Sequence, residues 1–411
     1  MPASALEPAV SGSILQAAGA ASGGLPRQRI LHVFRAPVGG LFRHVVDLAR
    51  LQAAAGHAVG LVCDASTGGE RAAQALADLA PCLALGVTRL PMRRNPHPSD
   101  LMALRAIARR AAEVGADVLH GHGAKGGVYA RLAPVRGCAP IRAYTPHGGS
   151  YNYKPGTLRH RVYMGIERGL ALRTDVFLFE SEYVAGRHRA YAGDPRRITR
   201  IVHNGIGEAE FDPVVPAEDR YDLLYIGELR DAKGVPFLLD ALLRLRAEGR
   251  ALRLLMVGSG PDANVLAERV VAMGLGDAVA FEPPQSIRAV LARGRVMVVP
   301  SLAESLPYVV LEAAAARHPL VATNVGGIPE IFGPAAGQLV PPRDGKALAA
   351  AIARVLDEEP EASRLRFEGL AASVKARFSM NRMGSDVLSG YASALRARAG
   401  AARPAIAPTA P

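Results

Sequence analysis

Cysteine, tryptophan and long apolar runs are scarce in this sequence, and each scarcity excludes a class of protein. Among 411 residues there are three cysteines and no tryptophan, and aromatic residues make up 5%. Cys63, Cys82 and Cys138 are far apart and form neither a disulfide framework nor a CxxC metal spacing. The apolar run before Pro300 has the length of a strand, not of a membrane span. We therefore expect a protein of the reducing cytoplasm without a secretory signal.

Negative charge is also in the minority. Lysine and arginine number 49 against 37 acidic residues, which gives a formal net charge of +12. Two interpretations remain open: attraction to anionic partners, such as nucleotide phosphates or the inner face of the plasma membrane, and a solvated arginine-rich surface without a partner. Nucleic acid is not expected, because the basic residues form no run interleaved with aromatics. If the charge attracts anionic partners, we expect a cytoplasmic protein with peripheral membrane contact.

Short apolar runs, glycine-bearing turns and helical stretches alternate along the chain from residue 29. This alternation predicts an α/β fold with parallel sheets covered on both faces. The chain is too long for one core, so we expect two doubly wound, Rossmann-like domains with ligand at the carboxyl ends of their strands. The predicted divisions are a disordered tail at 1–28, domains at 29–206 and 221–379, an acidic linker at 207–220, a final helix at 380–398, and a disordered tail at 399–411.

A pair of glutamates marks the sharpest motif, Pro300-Ser-Leu-Ala-Glu-Ser-Leu-Pro-Tyr-Val-Val-Leu-Glu. The motif follows a predicted strand and opens a predicted helix. Glu304 is expected on the loop and Glu312 within the helix, where they address different parts of one elongated ligand. Backbone amides at the helix N-terminus suit a phosphate. Carboxylates in such apolar surroundings are less often a mere solvated face.

Two basic residues lie in the loop Gly227-Glu-Leu-Arg-Asp-Ala-Lys-Gly, between a predicted strand and a predicted helix. Arg230 can bind a phosphate through two nitrogens, and Lys233 supplies a compact positive charge. An isolated R-x-x-K is also a common pair of surface bases. Its position at the edge of the sheet favours a diphosphate.

The segment from Gly258 to Ala263 matches G-x-G-x-x-A between a strand and a helix, and Glu282 stands near the position of a ribose-binding acid. A dinucleotide site is therefore an alternative. Against it, the motif follows the second strand of the second domain, whereas a dinucleotide fingerprint opens the first βα unit.

The N-terminal domain offers glycines and histidines at predicted strand ends. Gly39 and Gly40 allow close backbone approach to a ligand. His147 is the strongest candidate histidine, because proline and glycines fix its loop. His120 and His122 are not predicted to bind a metal, since no third ligand has a suggestive spacing. The sequence also lacks an Asp-x-Asp triplet that would anchor a metal-chelated diphosphate, so no metal site is expected.

Taken in order, these motifs resemble the family-4 glycosyltransferases of the GT-B fold from about Ile30 to Arg396. The ordered landmarks are Gly39-Gly40, His120-x-His122, Pro-His147-Gly, Glu167-Arg168, His203-Asn204-Gly205, the Gly227–Gly234 loop, Gly258-x-Gly260, Glu304-x7-Glu312 and Gly326-Gly327-Ile-Pro-Glu330. Two positions depart from the family pattern: Glu228 occupies the place of the usual arginine, with Arg230 two residues later, and Pro307 stands among the usual glycines.

The resemblance implies two facing Rossmann-like domains, a C-terminal helix that crosses back to the first domain, and a retaining, metal-independent transfer of a hexose-type sugar without a cofactor. It assigns the donor phosphates to Arg230 and Lys233, with Gly258, Ser305 and Leu306 nearby. It places Glu312 on the ribose, Glu304 on the donor sugar, and His147 on the sugar or the acceptor. Gly39, Gly40 and Asn204 would line the donor or acceptor loops.

The implied partners are a nucleotide sugar and a glycan or lipid-linked acceptor of cell-envelope or exopolysaccharide biosynthesis. Three alternatives remain: a GT-B nucleotide-sugar epimerase, an NAD-binding dehydrogenase and a two-lobed sugar-binding protein. The base, the sugar, the linkage and the oligomeric state are not encoded in these motifs.

Overall fold

A computed structural model of the chain describes residues 26–401. The disorder expected for residues 1–25 and 402–411 lies outside the described residues. Residues 26–28 were also predicted to belong to the disordered tail. There the backbone amide of Gln28 donates to Nδ1 of His57 at 3.1 Å. The final helix continues to Ala401, which corrects its predicted end at residue 398. Among the helices described, none combines the length and the apolar character needed to cross a bilayer.

The described residues divide into two compact units. The first contains residues 26–180, 184–203 and 380–401, and the second contains residues 181–183 and 204–379. The acidic stretch 207–220 therefore belongs to the second unit. It begins with a short 3-10 turn, Glu208–Phe211, and the side chain of Phe211 is buried in the core of that unit.

The first unit is built on a sheet of seven parallel strands in the order β3-β2-β1-β4-β5-β6-β7. Its strands are largely apolar and buried on both faces, as crossover helices require of a parallel sheet. The elements are β1 (Arg29–Phe34), α1 (Gly39–Ala54), β2 (Ala58–Asp64), α2 (Gly69–Leu79), β3 (Val87–Leu90), α3 (Asp100–Glu113), β4 (Val118–His122), α4 (Gly123–Leu132), β5 (Ile141–Thr145), α5 (Leu158–Ala171), β6 (Val176–Phe179), α6 (Glu182–Tyr191, which begins at the boundary of the units) and β7 (Ile198–Ile201).

Two helices pack closely against this sheet. A Cβ on Gly126 of α4 would lie 2.3 Å from the carbonyl oxygen of Val33, so only glycine lets this helix pack so closely on β1. The last helix of the chain, which follows the second unit in sequence, packs Val387 and Tyr391 into a core cluster with Ile30 of β1. Residues from both ends of the chain thus build the first unit.

The second unit contains five parallel strands in the order β10-β9-β8-β11-β12. Apolar helices cover the sheet and form two core clusters. The elements are β8 (Tyr221–Ile226), α7 (Val235–Ala247), β9 (Leu254–Val257), α8 (Ala263–Ala272), β10 (Val279–Glu282), α9 (Ile287–Leu291), β11 (Gly294–Val299), α10 (Tyr308–Ala315), β12 (Leu320–Ala322), α11 (Ile328–Phe332), α12 (Gly345–Asp357), α13 (Pro360–Arg377) and α14 (Met380–Ala401), the last of which belongs to the first unit.

Candidate functional site

The strand order of the second unit reverses between β8 and β11, which lie side by side although two strands separate them in sequence. Loops that leave such a switch point form the usual ligand site of a doubly wound sheet. Lys233 lies on the loop after β8 and Glu304 on the loop after β11. The Lys233 ammonium donates to Oε1 of Glu304 at 2.6 Å, and the hydroxyl of Ser301 donates to the same oxygen at 2.7 Å. The fold thus brings two of the residues predicted from sequence into direct contact.

Glycines allow these loops to approach each other. Gly234 has φ +66°, and a Cβ there would lie 2.0 Å from the carbonyl oxygen of Pro300. Gly326, after β12, has φ +60°, and its Cβ would lie 2.0 Å from the carbonyl oxygen of Glu304. Any side chain at either position would force the loops apart, so both glycines hold Glu304 near Lys233.

The helix α10 begins directly after these loops. Pro307 is its N-cap residue and makes no side-chain capping hydrogen bond. The carbonyl of Ser305 accepts from the amide of Gly327 at 2.8 Å, and the carbonyl of buried Leu306 accepts from Nδ2 of Asn204 at 2.7 Å. Asn204 therefore fixes the segment that leads into the helix. Glu312 lies half-buried one turn further on.

Arg230 has a different environment from Lys233. Its Nε lies 3.2 Å from Oε2 of Glu228, and the two side chains are 42% and 51% exposed. Glu228 is the residue that takes the place of the usual family arginine. The departure seen in the sequence thus corresponds to an exposed ion pair between the substituted position and its neighbour.

The Gly258 motif has a packing explanation. A Cβ on Gly258 would lie 1.9 Å from the carbonyl oxygen of Gly227, and one on Gly260 would lie 2.2 Å from that of Leu229. Both glycines are needed for the loop after β9 to pack against the loop after β8. Glu282, the candidate ribose acid of a dinucleotide site, is held by Arg293 through two contacts of 2.6 Å, which lower its pKa. Packing thus accounts for both glycines, and an ion pair accounts for Glu282.

In the first unit the strand order reverses between β1 and β4, and five histidines gather there. His32 of β1 and His120 of β4 are register partners, and the remaining members come from α1, from the end of β4 and from the loop after β5. We call this set the histidine cluster: His32, His44, His120, His122 and His147. Of these histidines, His147 was a candidate from the sequence, whereas His32 and His44 were not. A histidine on each of two adjacent predicted strands was the available signal.

A hydrogen-bonded chain runs through the cluster. Oε1 of Gln52 lies 2.7 Å from Nε2 of His32, Nδ1 of His32 lies 2.9 Å from Nε2 of His122, and Nδ1 of His122 lies 3.1 Å from Nε2 of His147. An amide oxygen only accepts, and a neutral imidazole has one donor and one acceptor. His32 and His122 therefore each carry their proton on Nε2. The same reasoning gives His147 a proton on Nε2 and a bare, accepting Nδ1.

His120 belongs to a second branch. Its Nδ1 lies 2.7 Å from the hydroxyl of Tyr391, and its Nε2 lies 2.9 Å from the hydroxyl of Thr145. Nε2 of Gln52 donates to the same tyrosine hydroxyl at 3.4 Å. Gln52 thus orients both branches, and both nitrogens of His120 have partners.

Four members of the cluster are uncharged at neutral pH. Burial lowers the pKa of His32 to about 4, against the opposing effect of its hydrogen bond to Gln52. Burial, followed by the neighbouring histidines, also holds the pKa of His120, His122 and His147 well below the ordinary value. These four imidazoles can lie close together because none of them needs to carry a charge.

A strained loop carries His147. The residue has φ +52°, an unusual value for a residue other than glycine, and Gly148 follows with φ +73°. Behind the loop, Oε1 of Glu167 accepts from the hydroxyl of Ser150 at 3.2 Å, and its Oε2 pairs with buried Arg131 at 2.8 Å. The buried ion pair therefore supports the loop on which the candidate histidine sits.

Two trios of the cluster have the geometry of a metal site. In His32–His120–His122 and in His44–His122–His147, one ligand nitrogen of each residue lies within 4.8 Å of the other two. Histidines distant in sequence supply the third nitrogen that local spacing does not offer.

Comparison with known proteins defines the class. The model of Glycosyltransferase Family 4 matches residues 38–210, and the model described as Glycosyl transferases group 1 matches residues 220–358. Together with two parallel sheets and their interleaved helices, these matches define a glycosyltransferase of the GT-B fold. The chain belongs to the family-4 glycosyltransferases, as its motifs predicted.

Two curated relatives show the range of the family. Glycogen synthase of Mycobacterium tuberculosis (strain ATCC 25618 / H37Rv) is 29% identical over 377 residues, which cover 85% of this chain and 87% of that protein. Alpha-D-kanosaminyltransferase of Streptomyces kanamyceticus is 33% identical over 178 residues, but the match covers only 42% of this chain and 46% of the relative.

Two solved structures show the same fold. Sucrose-phosphate synthase from Thermosynechococcus elongatus has a TM-score of 0.74 at 23% identity, over 90% of this chain and 100% of that one. Anabaena HepE in complex with UDP-glucose has a TM-score of 0.73 at 16% identity, over 89% and 100%. At these identities the likeness supports the fold alone.

Proposed function

We propose that this glycosyltransferase moves a hexose from a nucleoside diphosphate sugar to an acceptor hydroxyl, with retention of the anomeric configuration. The observation that carries the proposal is the contact of Lys233 with Glu304 at the β8/β11 switch point. An ammonium beside a carboxylate offers one group for a diphosphate and one for sugar hydroxyls. The complex of HepE with UDP-glucose supports a nucleotide sugar as the donor.

In the proposed arrangement Lys233 and the amides at the start of α10 bind the diphosphate, with Arg230, Ser305 and Leu306 at its margin. Since Lys233 and Ser301 already occupy Oε1 of Glu304, we assign Oε2 to the hydroxyls of the sugar. Glu312, further along α10, is assigned to the ribose. Gly258 supplies the close packing that keeps the loop in place.

The chemistry needs no protein nucleophile. The bond from the anomeric carbon to the diphosphate oxygen breaks, and the acceptor oxygen bonds to the same face of the sugar. The acceptor proton passes to the leaving diphosphate. Lys233 stabilises the negative charge that grows on the diphosphate, and this replaces the usual contribution of a metal ion. We therefore propose a metal-independent and cofactor-free reaction.

In the first unit the candidate residue is His147. Its bare Nδ1 is a hydrogen-bond acceptor of fixed direction, which suits a hydroxyl of the sugar or of the acceptor. Gly39 and Gly40 open α1, where the N-cap residue Val38 makes no side-chain capping bond. Their amides are the proposed backbone contacts for the acceptor or the diphosphate.

A thermal-shift panel of UDP, GDP, ADP, their sugars and NAD tests the donor. A nucleotide sugar at 100 times its Kd should stabilise the folded state by about 2.7 kcal/mol. Lys233→Ala should lose that shift, whereas Lys375→Ala should keep it, because Lys375 forms an exposed ion pair with Glu208. Stabilisation by NAD alone would contradict the proposal. Release of an isomerised sugar without any acceptor would favour an epimerase instead.

For the acceptor we propose a lipid-linked glycan of the cell envelope, reached by peripheral contact with an anionic membrane surface. The observation is α5, which exposes a stripe of apolar side chains at four-residue spacing: Leu158 is 75% exposed, Val162 50% and Ile166 45%, and Leu172 just beyond the helix is 76% exposed. Exposed arginines flank this stripe at positions 159, 161, 168 and 173. An apolar stripe with basic flanks is typical of helices that lie in a membrane interface.

Vesicle sedimentation tests this contact. The protein should bind vesicles that contain phosphatidylglycerol and should dissociate as salt is raised, because exposed charges are then screened. The double variant Val162→Glu, Ile166→Glu should bind at least tenfold more weakly. Met102→Glu is the matched control, since Met102 is 71% exposed on α3. Equal binding of the double variant and the control would overturn the assignment.

A further inference from the structure

We propose that His44, His122 and His147 form a binding site for a late first-row transition-metal ion, with Zn²⁺ as the best fit, and that the bound ion inhibits sugar transfer. The inhibition rests on the role proposed above for His147. The binding does not, because it depends only on the geometry of the three imidazoles.

The distances between the ring nitrogens fit a zinc site. One ring nitrogen of each histidine lies within 4.8 Å of the other two, and Nδ1 of His122 is 3.1 Å from Nε2 of His147. In a tetrahedral zinc site with Zn–N bonds of about 2.0–2.1 Å, two ligand nitrogens are separated by roughly 3.3 Å. The ion can therefore replace the proton between these two rings with shifts of a few tenths of an ångström.

Binding of the metal ion between these two rings needs no net release of a proton. At present the proton on Nε2 of His147 lies between the two rings. When a metal ion binds there, this proton moves to Nδ1 of His147, and the ring stays neutral. His122 keeps its proton on Nε2, so it still donates to His32, which donates in turn to Gln52. Zinc-bound histidines usually donate their other N–H to such a partner, and here that partner is already present.

The chemistry of the ligands decides which ion suits the site. All three ligands are imidazoles and the trio contains no carboxylate. Imidazole suits Zn²⁺, Co²⁺, Ni²⁺ and Cu²⁺, whereas Mg²⁺ and Ca²⁺ prefer oxygen ligands.

The other trio is a poorer site. Both nitrogens of His120 are engaged, by Tyr391 and by Thr145, and both nitrogens of His32 are engaged, by Gln52 and by His122. A metal ion there would break at least one of these buried bonds and leave its former partner unsatisfied. The trio that contains His44 also includes His147, which is only partly buried, so an ion can reach this trio from solvent and is assigned to it.

Inhibition follows from the change of tautomer. With the metal bound, Nδ1 of His147 carries a proton and becomes a donor, so it no longer accepts a hydrogen bond from a hydroxyl. Three protein ligands also leave a fourth position for water. The ion thus removes the group that we assign to the sugar or the acceptor.

The full chain, freed of metal with a chelator, should be titrated with Co²⁺ and followed by its visible absorption, which reports tetrahedral coordination. We expect one ion per chain, displaced by Zn²⁺ and unaffected by Mg²⁺. His44→Asn should weaken binding at least 100-fold, and Gln52→Leu should weaken it about 10-fold through the lost partner of His32. His318→Asn, a buried histidine of the second unit, and His120→Asn are controls that should bind as the parent does.

Transfer activity is the second readout. Zn²⁺ should inhibit the parent, a chelator should restore it, and His44→Asn should resist inhibition, with each variant compared with its own metal-free rate and checked for folding by thermal unfolding. Unchanged Co²⁺ binding in His44→Asn would overturn the site. Loss of binding in His120→Asn would move it to the other trio and overturn this one. Tight binding without inhibition would overturn only the assigned consequence, while the nucleotide thermal shift tests the donor site independently.

Discussion

The two units carry different chemical groups at equivalent positions of their sheets. In each, the strand order reverses between the first and fourth strands, and the candidate residues lie at the carboxyl edge there. The second unit holds an ion pair at this edge, Lys233 with Glu304. The first holds five histidines, of which His32, His120, His122 and His147 are hydrogen-bonded and uncharged.

Solvent access explains why each chemistry is stable where it stands. The side chains of Lys233 and Glu304 keep 20% and 10% of their exposure, so neither charge is fully desolvated and a phosphate can enter. The histidine cluster is largely buried, and burial there favours neutral rings whose protons have fixed directions. One edge is thus built to hold charge, and the other to direct hydrogen bonds.

Removing the charge of Lys233 or of Glu304 in the second unit is the strongest test of this contrast. Glu304→Ala and Lys233→Ala should each lower the rate of sugar transfer about 1,000-fold or more, because each removes a group that stabilises charge or holds the sugar in the transition state. The measurement is the steady-state rate, with thermal unfolding to confirm the fold. Lys375→Ala should retain the parent rate. Near-normal turnover in both site variants would refute the assignment.

Removing the hydrogen-bond acceptor of His147 in the first unit should have a smaller effect on the rate. His147→Ala should lower kcat about 100-fold, since it deletes one directed hydrogen bond but no charge. His147→Asn should recover part of the loss, because its amide oxygen also accepts. His57→Asn is the control, a buried histidine outside the cluster. If Ala and Asn at position 147 are equally slow, the bare Nδ1 is not the group that matters.

Local patterns predicted the parallel sheets, the loop that carries Lys233 and the motif that carries Glu304. These features depend on residues close in sequence: apolar runs for buried strands, and glycines where loops leave them. The edge strand Val87–Leu90 was not predicted, because it is short and only partly buried. The helix Pro360–Arg377 was also missed, since charges are spread around most of its circumference.

The histidine cluster shows what sequence spacing cannot reveal. His32 and His122 are 90 residues apart, yet register pairing of β1 with β4 brings their rings to hydrogen-bond distance. Likewise, the final helix supplies Tyr391 to a histidine 271 residues earlier. A search for a third ligand near His120 and His122 in the chain therefore fails, although the fold supplies His32. Pairing order, which depends on the whole sheet, decides such contacts.

Acid should destabilise the first unit before the second, and this is the smallest of the expected effects. His188 of α6 is buried, packs against Phe177 and Phe179, and accepts a hydrogen bond from Tyr151 at 2.7 Å. Burial lowers its pKa to about 4; the charges of Glu167 and Asp194 oppose this effect, and those of Arg131 and Arg189 reinforce it. Since the folded pKa lies below the unfolded value of about 6.5, this contribution to stability is complete above pH 6.5 and is lost as the pH falls towards 4.

At pH 5 the loss for this one histidine is about 2 kcal/mol, or roughly 30-fold in the unfolding constant. His188→Gln keeps an acceptor for Tyr151 but cannot titrate, so its stability should fall less between pH 7 and pH 5, as measured by hydrogen exchange of β6 amides. The first unit holds most of the buried histidines with lowered pKa, whereas in the described part of the second unit His318 is the comparable group. Amides of the first unit should therefore lose protection first on acidification. Equal loss in both units would show that the neutral histidines do not set the acid limit of this fold.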